Sequence, residues 1–188
     1  MELAGKKVLV TGASSGLGKA FAASLVEKGA HVWGTSRSPG AHDWEEGVTP
    51  VSLDLSYVEE IDSQWDSAGL DAIGFDVLVN NAGAGVFGEF EEVGFADWER
   101  QVELMLLSPM KLAHLALSQL RASGEGVLAN VSSLAVEYPI PFMAGYNAAK
   151  GGLTAFSESL ALELDPPPPA MKHSLKPPLP RPSIETKP

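Results

Sequence analysis

The chain has 188 residues, enough for one domain with its own core and too short for two of ordinary size. It has no cysteine, which excludes disulfides, thiolate metal sites and cysteine nucleophiles and fits an intracellular, cytoplasmic setting. A formal net charge of −11 repels nucleic acid and anionic membranes, so neither is expected as a partner. No stretch approaches the ~20 apolar residues of a spanning helix, and the N-terminal MELAGKKVLV reads as a strand, with no secretory signal in it. Charge and proline are unevenly spread. Residues 166–188 carry a net +3, so the first 165 carry −14, and 9 of the 14 prolines follow Asp165. The expected organisation is one domain over 1–165 and a Pro-rich, disordered or extended tail over 166–188.

In chain order, KVLVT (Lys7 to Thr11) is an apolar run ending in glycine, the pattern of a buried parallel strand. Gly16 to Lys28 follows as a helix with Leu17, Ala20, Phe21, Ser24 and Leu25 on one face and Gly29 as its stop. HVWGT (His31 to Thr35) is a second strand, Val51 to Leu53 belongs to a third, and Val58 to Trp65 reads as a short helix. DVLVN (Asp76 to Asn80) is a fourth strand ending at the turn Asn81-Ala82-Gly83. A long helix is expected from Asp97, its cap, to Arg121, bent at Pro109. GVLANVS (Gly126 to Ser132) is a fifth strand and Ala144 to Leu164 a further helix. Alternating strands and helices imply an α/β fold, a parallel sheet with right-handed crossovers.

The first strand runs into Thr11-Gly12-Ala13-Ser14-Ser15-Gly16-Leu17-Gly18 and then a helix. Phosphate needs close backbone approach and free N–H groups at a helix start, which glycines at 12, 16 and 18 permit. A P-loop is rejected. Its first glycine would fall on Ala13 and its Mg²⁺-binding hydroxyl on Ala20. The four histidines (His31, His42, His114, His173) have no ligand spacing, so no metal is expected.

Three motifs occur in order: Thr11 to Gly18 opening the first helix, Asn80-Asn81-Ala82-Gly83 closing the fourth strand, and Tyr146-Asn147-Ala148-Ala149-Lys150 with Ser133 placed 13 positions before the tyrosine. Together they resemble the short-chain dehydrogenase/reductase family over about residues 5–165. The resemblance implies a Rossmann-type doubly wound sheet in the order 3-2-1-4-5 and hydride transfer between a nicotinamide cofactor and an alcohol/carbonyl pair. It also implies catalytic Ser133, Tyr146 and Lys150. Their chemistry suits those roles. A phenol ordinarily titrates near ~10, so using a tyrosine as acid and base at neutral pH calls for a nearby positive charge. A lysine four residues along a helix lies on the same face. Ser133, just past a strand end, is placed to donate to a substrate oxygen; Ser132 is its neighbour and rival.

The same resemblance assigns the cofactor contacts: Gly12, Ser14, Ser15, Gly16, Leu17 and Gly18 at the phosphates, Ser36 and Arg37 after the second strand, Asp54 and Leu55 after the third, Asn80, Asn81, Ala82 and Gly83 after the fourth, and Tyr146 with Lys150. An acidic residue ending the second strand favours NAD and a basic one accommodates a 2′-phosphate. Ser36 stands where an aspartate marks NAD use, and Arg37 follows, so NADP is expected over NAD. Asp54 is either an adenine contact or a turn former. Phe87, Phe90, Tyr138, Ile140, Pro141, Phe142 and Met143 suggest an apolar pocket rim or core. A homo-oligomer is implied through helices 97–121 and 144–164, with Leu104, Leu107, Leu112, Leu115 and Phe156 as apolar contacts or as sheet-facing residues.

Two departures stand out. Met105 takes the place of the family's asparagine in the long helix, and a thioether is a weak acceptor and no donor. The family usually continues with two more strands and a loop over the nicotinamide, which the Pro-rich tail does not resemble. Two other readings are therefore kept: a C-terminally truncated, weakly active or inactive nucleotide-binding fragment that associates with a partner chain, and an interaction protein in which Lys176 to Arg181 is similar to a ligand of an SH3-type groove.

Overall fold

The computed structural model describes residues 2–138 and 140–164. The expectations for the tail 166–188, its SH3-type segment included, lie outside the described residues. Five strands, β1 (Lys7–Val10), β2 (His31–Ser36), β3 (Val48–Ser52), β4 (Val77–Asn80) and β5 (Val127–Asn130), form one parallel sheet in the order β3-β2-β1-β4-β5. This is the doubly wound order read from the motifs. β1 is central, with Leu9 opposite Trp33 of β2 on one side and Leu78 of β4 on the other.

Side chains alternate across the pleat, so the two faces carry different cores. Val8, Val10, Val32, Val48 and Val77 pack against Ala22 of α1 (Gly16–Glu27) on one face. On the other, Leu9 and Leu78 meet Ile61 and Trp65 of α2 (Ile61–Ser67) and Leu112, Ala116 and Leu120 of α4 (Ser108–Ala122). Phe75 lies edge-on to both Trp33 and Trp65 in this second core. The chain then passes through β5 into α5 (Ala144–Leu164), which packs on α3 (Phe95–Val102) and on the segment Glu103–Leu107. Glycines allow that approach: a Cβ on Gly145 would lie 2.4 Å from the Trp98 ring, and one on Gly152 2.9 Å from Leu106.

Three sequence expectations are corrected. β3 begins at Val48, ahead of the expected Val51, and includes Pro50 opposite Gly34. An edge strand tolerates this proline because its missing donor faces away from the ladder. The long helix begins at Phe95 with Gly94 as its cap, while Asp97 sits inside the first turn, its N–H on the Gly94 carbonyl at 2.9 Å. The disturbance expected at Pro109 appears just before it, as a π-helical turn over Glu103–Leu107 in which the Ser108 N–H reaches back five residues to the Glu103 carbonyl. Pro109 has no N–H for the Met105 carbonyl and its ring crowds that oxygen, so the helix widens there.

The expected association surface also changes. Leu112 is fully buried beneath the sheet, with Leu104 and Leu115 packed against the same core. Of the five apolar residues named for it, Leu107 is exposed and Phe156 half-buried. Among the described residues no helix is long and apolar enough to cross a membrane.

Candidate active site

The glycine loop is held by the strand ends beside it. Thr11 donates its own N–H to the Val79 carbonyl, and its hydroxyl oxygen accepts from the N–H groups of Asn81 and Ala82, both at 2.9 Å. Asn81 returns its side-chain amide to the Thr11 carbonyl at 2.9 Å. Thr35 of β2 accepts from the N–H groups of Gly12 and Ala13. The loop after β1 is thus stapled to β2 on one side and to the turn after β4 on the other. That fixes its shape before any ligand arrives.

The carboxyl ends of these strands open into a cleft of about 940 Å³. Gly12, Ser14, Ser15, Gly16, Leu17, Ser36, Arg37, Asp54, Leu55, Asn81, Ala82 and Gly83, all expected there, line it. Four expected contacts do not. A Cβ on Gly18 would lie 2.2 Å from the Gly12 carbonyl oxygen, so this glycine serves the close packing of α1 on the loop. Asn80 is buried and gives its amide to the Pro109 carbonyl and to Asn130, which in turn donates to Ser157. Tyr146 and Lys150 lie off this wall. Ser38, His42, Ser56, Ala84 and Leu104 line the cleft without having been anticipated. Leu104 reaches it only because of the helix path, which no local pattern encodes.

The cleft suits a nucleotide diphosphate. The α1 cap, Ser15, makes no side-chain hydrogen bond to the helix and the first turn has no acidic residue, so its N–H groups stay free for an anion. Gly16 has φ 54° and nothing within 4 Å of where a Cβ would project, so the backbone is open to the cleft. Arg37 is exposed at the far wall and makes no ion pair among the described residues. Beside it, Ser36 turns its hydroxyl inward and accepts from the Ser38 N–H. Asp54 both lines the cleft and forms a turn, accepting from Ser56 while Gln64 clamps its backbone.

Beyond the Ala82–Ala84 end lie the other candidate residues. The Phe87 ring folds over Gly85, and its centroid stands 6.0 Å from that of Tyr146, so it bridges the cleft end and the phenol. Lys150, one turn along α5 from Tyr146, is only 5% exposed and donates to the Val131 carbonyl at 2.6 Å. Burial lowers its pKa below the usual lysine value. The two serines part company. The Ser132 hydroxyl is bonded to that of Thr154 at 2.7 Å. Ser133 accepts from the Ala135 N–H at 3.2 Å and has no acceptor for its own proton among the described residues. Met105 is buried, its sulfur 3.2 Å from where a Cβ on Gly83 would stand.

A glycine loop at the switch point of a 3-2-1-4-5 sheet defines a dinucleotide-binding α/β protein. Residues 6–167 match the family model described as short chain dehydrogenase, and the chain belongs to that family. A short-chain dehydrogenase of Streptomyces avermitilis superposes with a TM-score of 0.79 at 36% identity, over 88% of this chain and 63% of that one. A metagenomic short-chain oxidoreductase solved in complex with NADP superposes with a TM-score of 0.76 at 33% identity, over 87% and 78%. The 3-ketodihydrosphingosine reductase of Bacteroides thetaiotaomicron is 32% identical over 161 residues, 85% of this chain and 58% of that protein. The chain spans 55 to 69% of the length of the curated relatives it matches.

Proposed function

We propose that this protein is an NADP-dependent oxidoreductase that interconverts a carbonyl compound and its alcohol. The observation that carries the cofactor choice is the pair Ser36–Arg37 on the cleft wall. A neutral residue stands where a ribose-binding carboxylate would repel a 2′-phosphate, and next to it stands a guanidinium with no ion pair among the described residues. Ser14, Ser15 and the first turn of α1 would hold the pyrophosphate, and Asp54 with Leu55 the adenine end. The bound nicotinamide supplies or accepts the hydride.

The chain's own residues then handle the oxygen. Ser133, with its hydroxyl proton uncommitted, donates a hydrogen bond to the substrate oxygen as negative charge develops on it. Tyr146 gives the proton as the carbonyl carbon receives hydride, so the C=O double bond becomes a C–H and an O–H bond. In the reverse direction it takes that proton back. Lys150, one helical turn from Tyr146, is held by the Val131 carbonyl and brings positive charge to the phenol's side of α5.

Nucleotide fluorescence titration tests the cofactor choice. NADPH binds more tightly than NADH, and Arg37→Asp reverses the order; equal wild-type affinities refute the choice. Tyr146→Phe abolishes carbonyl-dependent absorbance change at 340 nm while leaving NADPH binding within about twofold. Retained turnover in that variant excludes Tyr146 as the proton donor.

A further inference from the structure

Beside Tyr146 lies a second set of residues with its own chemistry. Phe87 is 58% exposed although its ring lies over Gly85 and beside the phenol. Phe142 has φ 66°, a conformation that bulky L residues avoid. Its carbonyl accepts the Gly88 N–H at 3.0 Å, which ties the approach to α5 to the loop that carries Phe87. The unfavourable backbone is therefore held by a cross-loop bond, and it leaves the Phe142 ring 57% exposed. Between the two loops opens a cleft of about 390 Å³ walled by Gly88, Glu89, Phe90, Glu91, Phe142 and Ala144.

Charge on this rim has one sign. From Ala82 to Glu99 and from Ser133 to Ala149 the chain has no lysine or arginine, whereas it has Glu89, Glu91, Glu92, Asp97, Glu99 and Glu137. The flanking Arg100 is paired with Asp97 at 3.3 Å, and Lys150 is buried against the Val131 carbonyl. An anionic group on a substrate would meet carboxylates and, among the described residues, no free cation on this rim to offset them. An apolar body would instead cover exposed aromatic faces beside the phenol.

We propose that this rim selects a ketone or secondary alcohol with an apolar body and no anionic group. Its oxygen lies at Tyr146 and Ser133, and its body crosses Phe87 toward the cleft beside Phe142. The proposal rests on the oxidoreductase reading above. It excludes thioesters on phosphate-bearing carriers and carboxylate-bearing substrates.

The test uses the full chain saturated with NADP⁺ and a matched pair of probes, 2-acetylnaphthalene and 6-acetyl-2-naphthoic acid. Affinity is read by calorimetry and turnover with NADPH at 340 nm. At low salt the neutral ketone binds roughly tenfold more tightly than the acid, and the gap narrows as salt screens the carboxylates. Phe87→Ala weakens the neutral probe by roughly fivefold or more. The double substitution Glu89→Lys, Glu91→Lys brings the acid level with the ketone. Phe142→Gly separates substrate contact from folding, because removing the strained side chain raises Tm while weakening the neutral probe.

Equal binding of the two probes, tighter binding of the acid, or no binding of either overturns the proposal. Discrimination in binding without turnover of either probe supports the proposed class and counts against the oxidoreductase reading. Turnover of both at equal kcat/KM does the reverse.

Discussion

β1 and β5 are both four-residue parallel strands with three small or branched apolar residues and one polar residue at an end, yet the fold treats them differently. Val8, Leu9 and Val10 of β1 are wholly buried, with strands on both sides and helices on both faces. Among the described residues β5 pairs only with β4, Val127 is 38% exposed, and none of its four residues is fully buried. The N–H groups of Val127 and Val131 point to β4, onto the carbonyls of Asp76 and Asn80. By the alternation of a parallel ladder, those of Leu128 and Asn130 point the other way, where no acceptor stands among the described residues. The nucleotide cleft is built on the buried half. Ser133 and the Lys150 anchor on Val131 hang from the half that has one neighbour fewer. In the proposed function, binding of nucleotide and alignment for turnover therefore rest on regions of unequal rigidity.

The largest expected difference is in hydrogen exchange. The amides of β1 open only with global unfolding, at a cost of about 5–15 kcal/mol for a domain of this kind. Those of Leu128 and Asn130 exchange with little protection. Protection at these two amides would show that a segment or a second chain covers the edge, because open edges recruit partners. A Val127→Lys variant then distinguishes the two. Sedimentation that falls to a monomer assigns the cover to a second chain, and unchanged protection in a monomer assigns it to the chain itself.

Truncation in the two strands gives the next largest contrast. Leu9→Ala loses about 2–5 kcal/mol of stability in denaturant titration, because the close-packed core cannot collapse onto the void. Val127→Ala, at a position already half open to solvent, loses about 1 kcal/mol or less. Equal losses would mean that β5 is as well covered as β1.

The smallest effect concerns Lys150 and sharpens the contrast at the β5 end. Its folded pKa is lowered by burial, so the folded state binds its proton less readily than the unfolded chain does. The resulting penalty is present at neutral pH and disappears as pH rises through the lowered pKa toward about 10.5. Lys150→Met accordingly changes stability at pH 7 by between nothing and about +1 kcal/mol, while turnover is lost. The difference between wild type and variant moves in favour of wild type as pH increases toward 10. Chemical denaturation at pH 7 and pH 9.5 measures it, and an opposite trend would mean that the bond to the Val131 carbonyl outweighs desolvation.

Much of this was legible in the residues themselves. The strand order and twelve of the cleft-lining residues follow from short segments whose meaning is local: a run that ends in glycine, a turn at Asn81 to Gly83, a neutral serine before an arginine. Backbone approach and free N–H groups depend on near neighbours in the chain, so a linear pattern suffices. What those local patterns leave open shares one cause. Gly18 and Asn80 sit inside motifs, but their surroundings come from distant segments, the Gly12 carbonyl in one case and Pro109 with Asn130 in the other. Leu112 has the spacing of an interface residue and of a core residue alike, and only the sheet beneath it decides between them.

Sequence alone determined the order of the elements, the family and the residue types available for chemistry, because those depend on local backbone preference and composition. Tertiary structure decided which serine keeps a free proton, since Thr154 reaches Ser132 from a helix 22 residues away. It decided that the strain at Pro109 becomes a π turn that leaves Leu104 on the cleft and Met105 against Gly83. It also decided that Phe87 stands exposed beside the phenol and that its loop is tied to the exposed Phe142, through a bond between Gly88 and Phe142 across 54 residues of chain. Such placements depend on contacts between segments far apart in sequence, and a linear pattern carries no record of which distant neighbour arrives.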